Sequence, residues 1–473
     1  MTQYDAVIVG SGPNGLAAAI TVARQGGKVL LIEGKDTIGG GMRSAELTLP
    51  GFVHDICSAI HPLTAASPFF KTLPLADFGL EWVAPPAEIA HPLDGGEAVI
   101  IRRSIEHTAA SLGVDERAYA KLFRWMTDGY VDLFEDFLGP LPIPPHHPLL
   151  MARFGLSALL PATVLAKLRF RGEHARAAFA GMAAHSMMPL ELPATGAFGL
   201  MLGLTAHTVG WVFPRGGAQQ IADGLAGYLR SLGGEIVTGQ MVQSLDELPP
   251  ARTVFLDVSP RQFVHMAGDE LPSRYRHQLE HYRYGAGVFK MDFALAAPIP
   301  WANPDVALSA TVHLGGTLDE IAAGEHAIGQ GGHPERPFVL LAQHSLFDPT
   351  RAPNGQHTAW VYCHVPNGST VDMSARIEGQ IERFAPGFRD LILAKTCRSA
   401  QAMEQYNPNY IGGDINGGVQ DLRQLFTRPT LRLNPYSTPL KNVYLCSSST
   451  PPGGGVHGMC GYHAVHSSRL LQR

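Results

Sequence analysis

The chain has 473 residues, 45% of them apolar, and a formal net charge of −5. That length predicts two or three domains with ample core, and an acidic balance with no basic, aromatic-interleaved patch argues against a nucleic-acid partner. Five cysteines (Cys57, Cys363, Cys397, Cys446, Cys460) are odd in number and widely spaced without a CxxC pair, which supports neither a disulfide scaffold nor a dithiol mechanism. His/Cys clusters at metal-ligand spacing are missing, so no metal is expected. The first predicted strand opens at Tyr4, which leaves no room for a signal peptide and makes a reducing cytoplasm the expected compartment.

The chain begins with strand, glycine turn, helix and strand. The apolar run from Ala6 to Val9 suits a buried parallel strand, and Leu16 to Ala23 suits a helix packed on it. Between them stands Gly10-Ser11-Gly12-Pro13-Asn14-Gly15. Gly10 permits the turn, Gly12 lets backbone approach a pyrophosphate, and Gly15 allows close helix–strand packing. Free N–H groups at the helix start are expected to face the phosphates. Lys28 to Ile32 reads as the second strand and ends at Glu33-Gly34, where a carboxylate can accept hydrogen bonds from ribose hydroxyls. Gly39-Gly40-Gly41-Met42-Arg43 follows at the spacing of the di-glycine motif of large flavoproteins. There, bare backbone and an arginine approach FAD, so FAD rather than NAD is the expected cofactor.

The middle of the chain is where a substrate is expected. Tyr130, Leu133, Phe134, Phe137 and Leu138 recur at helical spacing until Gly139-Pro-Leu-Pro-Ile-Pro-Pro145 breaks the helix. Leu149 to Phe170 is mostly apolar, with Arg153, Lys167, Arg169 and Arg171 at its ends. Leu192 to Phe213 lacks charge and reaches membrane-spanning length, but four glycines and His207 make it a poor span. Buried cap helices and a surface that dips into a membrane to collect a lipid both remain open. Gln219 to Leu232 is an amphipathic helix ended by Gly233-Gly234. Glu235 to Val242 and Thr253 to Val258 read as strands returning to the dinucleotide domain, with Val242 on the adenine side.

Further on, Gly287 to Leu295 reads as a strand whose alternation puts Val288, Lys290 and Asp292 on one face. Gly412-Gly-Asp414-Ile-Asn416-Gly-Gly418 is a glycine-rich loop. The chain closes with the strand from Val443, then Ser447-Ser448, then Pro452-Gly-Gly-Gly455-Val456-His457-Gly-Met459 and a helix.

These stretches, with Phe213-Pro-Arg-Gly-Gly217, Thr253-Val-Phe-Leu-Asp-Val-Ser-Pro260 and Asn407-Pro-Asn-Tyr410-Ile-Gly-Gly-Asp414, resemble the phytoene dehydrogenase (carotenoid desaturase) branch of the flavin amine oxidase superfamily. The resemblance is strongest at residues 4–62, 211–262, 284–301 and 405–466. It implies an α/β fold: a discontinuous, glutathione-reductase-like (GR2-type) Rossmann FAD-binding domain from residues 1–75, 211–270 and 430–473. A helical apolar cap would span 76–210, and an α+β substrate domain 271–429. The flavin would be held by Gly10, Gly12, Pro13, Asn14, Gly15, Glu33, Gly34, Gly40, Gly41, Arg43, Val242, Ser448, Gly455, Val456, His457 and Met459. In such a site the Pro452–Met459 turn directs helix-start N–H groups at the pyrimidine end of the ring. Lys290 would hold a water against the flavin, while His61, His457, Tyr410 and Asp414 are further candidates for chemistry. Relatives usually carry Gly-Asp where Ser447-Ser448 stand, and the stretch from Val242 to Thr253 is short beside the adenine.

The expected activity is FAD-dependent oxidation or reduction of an apolar organic substrate, by C–C desaturation, saturation or isomerisation, with flavin supplying the redox chemistry. With a single dinucleotide fingerprint, the expected electron acceptor is oxygen, a quinone or another carrier. An oxidase of amines is the alternative, and a lipid-binding escort-type protein the second alternative.

Overall fold

A computed structural model describes residues 3–140, 144–468 and 470. Residues 141–143, inside the stretch read as a helix breaker, lie outside the described residues. Two sheets organise the molecule. The first has five parallel strands in the order Val443–Leu445, Ala251–Leu256, Tyr4–Val9, Val29–Ile32, Glu235–Val237. Its central strand pairs Val7 with Val254 on one side and with Leu30 on the other, so Ala6, Val7 and Ile8 are wholly buried. A strand covered on both faces requires such an uninterrupted apolar run.

Helix Pro13–Ala23 follows the first turn, with proline in its first turn and ten of its residues buried. Helix Gln219–Ser231 buries Ile221, Ala222, Leu225, Ala226 and Leu229 on one stripe against it. The C-terminal helix Met459–His466 packs on Pro13–Ala23 at backbone contact. A Cβ at Gly461 would lie 1.8 Å from the Asn14 carbonyl oxygen, so only glycine fits there.

The predicted strand from Glu235 to Val242 is shorter than expected and stops at Val237. Gly239 takes φ +72°, and the chain hooks back so that the Gly239 and Gln240 N–H groups donate to the Lys35 and Glu33 carbonyls.

The second sheet has seven strands, in the order Ile392–Arg398, Gly287–Leu295, His357–Val365, Val339–Ala342, Ser309–Leu314, Ala87–Pro92, Ala98–Ile101. Neighbours are antiparallel except for the parallel pair Ser309–Leu314 with Ala87–Pro92. Residues 87–101, expected in the helical segment, thus extend this sheet instead. Side chains alternate across a strand. Met291, Phe293, Val312, Leu341 and Val361 cluster with Ile377, Ile381 and Phe384 of helix Ser374–Phe384. The opposite face presents Thr311, Leu340, Ala342, Trp360 and Tyr362 to a cavity.

Helices Glu116–Asp128, Tyr130–Phe137, Pro148–Ala158, Ala162–Arg169, Glu173–Ala183 and Thr195–Thr208 form a layer over that face. The uncharged stretch 192–213 becomes the buried 14-residue helix Thr195–Thr208. Among the described residues no single helix is long and apolar enough to cross a membrane, although Pro148–Ala158 and Ala162–Arg169 pass together as a pair bent by 95°.

Candidate functional site

One cavity of about 450 Å³ runs between the parallel sheet and the helical layer. Its wall at one end is made by Gly10, Gly12, Pro13, Asn14, Glu33, Gly34, Gly40, Gly41, Arg43, Gln240 and Val242. It continues past Ser448, Gly454, Gly455, Val456, His457, His61 and Tyr410 to an apolar end at Phe137, Leu138, Ala197, Phe198, Met201 and Leu202. Two expected cofactor residues, Gly15 and Met459, stand behind this wall rather than in it.

The glycine turns are in mutual contact. A Cβ at Gly15 would sit 2.0 Å from the Gly10 carbonyl oxygen, and one at Gly40 would sit 2.9 Å from the Gly12 α-carbon. A side chain at Gly15 would push the helix off its strand, and one at Gly40 would force the two glycine loops apart.

Glu33 ends its strand facing the cavity, but its oxygens are already engaged. Oε1 accepts from Lys35 N–H and Arg43 Nη2, and Oε2 accepts from the Ser11 N–H and hydroxyl. A ribose hydroxyl therefore binds Glu33 only by displacing one of these donors. Arg43 is buried in that ion pair and also donates from Nε to Thr37 O. The buried Asn14 Oδ1 on the same wall has no partner in the protein. An orphaned acceptor beside bare glycine backbone is suited to the polar, phosphate-bearing part of a dinucleotide.

Asp257 is the residue that sequence reasoning missed. It closes strand Ala251–Leu256, lines the cavity, and its Oδ2 accepts the Gly15 N–H at 2.9 Å. One of the N–H groups expected to be free for phosphate is thus taken. Burial, with Glu33 nearby, pushes the Asp257 carboxyl up to about 7. Its only signal in the sequence was an acid at the end of a predicted strand leading into the site.

Ser448 keeps its place in the wall. Its hydroxyl lies 3.5 Å from Asn14 Nδ2, and its carbonyl accepts from Arg428 Nη2 at 2.9 Å. Arg428 is fully buried, and its Nε and Nη1 have no partner.

The candidate catalytic residues fall into three groups. His61, at the start of helix Pro62–Ala66, lines the cavity with both ring nitrogens unpartnered, and burial holds its pKa at about 3. Tyr410 also lines it, with its hydroxyl against Gly41, and burial beside Cys57 holds that hydroxyl protonated far above its ordinary range.

His457 lines the cavity but is not free. Met459 N–H donates to its Nδ1 at 3.0 Å and its Nε2 bonds to Gly453 O at 3.2 Å. Its imidazole braces the turn, which removes it as an acid or base.

Lys290 and Asp414 do not reach the cavity wall. Lys290 shares the expected face with Asp292, but both are buried and paired with each other. The ammonium lies over the Trp360 ring, 5.6 Å from its centre, and Trp360 is what faces the cavity. Asp414 accepts N–H bonds from Gly285, Asn416 and Gly418 and so holds the glycine loop together.

Comparison with known proteins agrees with this geometry. Residues 8–73 match the NAD(P)-binding Rossmann-like domain family. The chain is 26% identical to pyridine nucleotide-disulfide oxidoreductase domain-containing protein 2 of Rattus norvegicus, over 98% of this chain and 93% of that protein. Its fold is shared by an oxidoreductase from Methanosarcina mazei, with a TM-score of 0.67 and 16% identity over 99% of this chain and 100% of the other. It is shared equally by putrescine oxidase bound to putrescine, with a TM-score of 0.62 and 17% identity over 99% of both chains. The fold is thus an α/β Rossmann-like dinucleotide-binding fold with a multi-sheet substrate region, as in flavin amine oxidases. FAD is the cofactor to which this site points, and the chain is an FAD-type oxidoreductase.

Proposed function

We propose that the protein is an FAD-dependent oxidoreductase of an apolar organic substrate, acting by C–C desaturation, saturation or isomerisation in the manner of phytoene dehydrogenases. The carrying observation is the continuity of the cavity from the glycine turns to a wall of Phe137, Leu138, Ala197, Phe198, Met201 and Leu202. Such a wall offers an alkyl or alkenyl chain desolvation worth about 25 cal/mol per Å² and gives a charged amine no counter-ion.

In this reading residues 1–75, 211–270 and 430–473 form a GR2-type FAD-binding domain, the helices within 76–210 a cap, and 271–429 the substrate domain. The two-sheet arrangement supports that division. When bound, FAD supplies the redox chemistry. The glycine turns seat it, Asn14 and Ser448 offer it polar contacts, His61 and Tyr410 add polar groups to the wall, and the helical layer excludes water. Oxygen or a quinone takes the electrons.

The exposed apolar side chains Leu149, Leu156, Leu159, Val164 and Leu168 lie on the bent helix pair beside the exposed Arg153, Arg169 and Arg171. They support a cytoplasmic enzyme that touches a membrane peripherally. Amine oxidation with oxygen is the second reading. It is favoured by the edge-to-face Trp360–Tyr362 pair in the cavity wall, with ring centres 5.1 Å apart.

The test is the visible spectrum of the purified protein, followed by anaerobic mixing with squalene, oleoyl-CoA or putrescine. Bleaching of the flavin by squalene or oleoyl-CoA is expected. Bleaching by putrescine alone, with peroxide on readmitting air, transfers the assignment to the second reading. Absence of bound flavin overturns both.

A further inference from the structure

Beyond the dinucleotide turns, the cavity has a histidine on its wall that neither sequence motif nor resemblance marked. His185 follows helix Glu173–Ala183 and lines the cavity, its ring edge-on to Trp211 with centres 5.5 Å apart. Behind it, His185 Nε2 lies 3.1 Å from Nε2 of His313, on strand Ser309–Leu314 and fully buried. His91 stands further in, with Nε2 2.8 Å from the Gly316 carbonyl oxygen. The Nδ1 atoms of His313 and His91 have no partner, and lie 2.8 and 2.9 Å from the point where a Gly181 side chain would start. Glycine at 181 is what allows the two rings to converge.

The Gly316 carbonyl fixes the His91 proton. A carbonyl oxygen only accepts, so the His91 proton is on Nε2 and its Nδ1 is bare. The Nε2–Nε2 contact between His185 and His313 needs one donor and one acceptor, and His313 Nε2 is the acceptor when the His313 proton sits on Nδ1. His185 must then donate from Nε2, which leaves its own Nδ1 bare. Burial keeps all three rings neutral at physiological pH, holding His185 to about 3 and His91 to about 4, with His313 lowered as well. Other titratable groups on the packed elements are Glu88, on the His91 strand, paired with Arg103 and accepting the Trp211 N–H; Glu173 and Arg176 of the preceding helix; Tyr362 and the buried pair His364–Glu325, with Nδ1 2.8 Å from Oε1; and the half-exposed His174 beyond His91.

We infer that His185 is the proton-exchanging residue of the substrate cavity, with His313 and His91 as positioning residues that keep its free Nδ1 available. The inference rests on the proposed C–C chemistry. In the oxidising direction two vicinal C–H bonds break and one C=C bond forms. One hydrogen leaves as hydride to the bound flavin and the other as a proton to His185 Nδ1. In the reducing direction both transfers run backwards.

Nitrogen-15 histidine NMR of the FAD-loaded protein tests the dyad without any substrate. His185 is expected as the Nε2–H tautomer and His313 as Nδ1–H, and His313→Gln is expected to scramble the His185 tautomer. His185 found as Nδ1–H overturns the inference. Anaerobic flavin reduction by squalene tests the role. His185→Ala is expected to slow it at least a hundredfold, with partial recovery on adding imidazole, which a structural loss would not show; an unchanged rate overturns the role. If squalene, oleoyl-CoA and putrescine all leave wild-type flavin oxidised, the proposed function falls while the tautomers still decide the dyad.

Discussion

Asp257 places a titratable group where the phosphates of a dinucleotide are expected. Its carboxyl, raised to about 7, is mostly neutral at pH 6 and ionised at pH 8.5. A neutral acid tolerates a phosphate and a carboxylate repels it. FAD affinity should therefore fall across that interval by about tenfold, roughly 1.4 kcal/mol, and Asp257→Asn should bind FAD more tightly at pH 8.5 with a flat profile. Fluorescence titration of the apoprotein at several pH values measures this, and a flat wild-type curve would remove Asp257 from the site. The contrast with Glu33 shows what single residues reveal. Glu33 was legible because a strand, a helix and a fixed spacing lead to it. Its saturation by Ser11, Lys35 and Arg43 was not, because those donors converge only in three dimensions. His457 is similar: its position in the turn was readable, but the two backbone bonds that disable it as an acid or base were not.

Elements were readable where one period dominates. Helix Gln219–Ser231 and strand Gly287–Leu295 lie within a residue of their expected spans, because a sustained stripe or alternation leaves little choice. Residues 87–101 were misplaced because their partner in the larger sheet, Ser309–Leu314, lies some two hundred residues away, and no local pattern names it. The bent pair Pro148–Ala158 and Ala162–Arg169 carries a prediction of its own. Leu156 and Leu168 are 79% and 69% exposed, so glutamates there should leave the fold intact while repelling an anionic bilayer. Leu156→Glu/Leu168→Glu should lose co-flotation with vesicles containing phosphatidylglycerol while keeping the wild-type far-UV dichroism. Equal flotation of both proteins would end the membrane reading.

At the scale of the whole molecule, the buried histidines set the response to acid. Burial lowers His54, His61 and His185 to about 3, and His91, His207, His344 and His457 to about 4. The unfolded chain takes up protons as pH falls below about 6.5 while the folded chain does not. Stability is therefore full above that pH and is lost progressively towards pH 4. Melting temperatures should be level from pH 7 to 8 and fall steeply below pH 6. A melting temperature that holds to pH 4.5 would mean these imidazoles accept protons in the folded state.

The backbone contact between helix Met459–His466 and helix Pro13–Ala23 bears on how the enzyme is made. A ribosome releases the glycine turn near residue 12 more than four hundred residues before the turn that completes the same wall. Contacts so distant in sequence form late. A chain that stops short of that second turn therefore has a phosphate cradle without its far side, and FAD binding is expected only once both turns are present. Chains lacking the second turn are expected to purify without bound flavin.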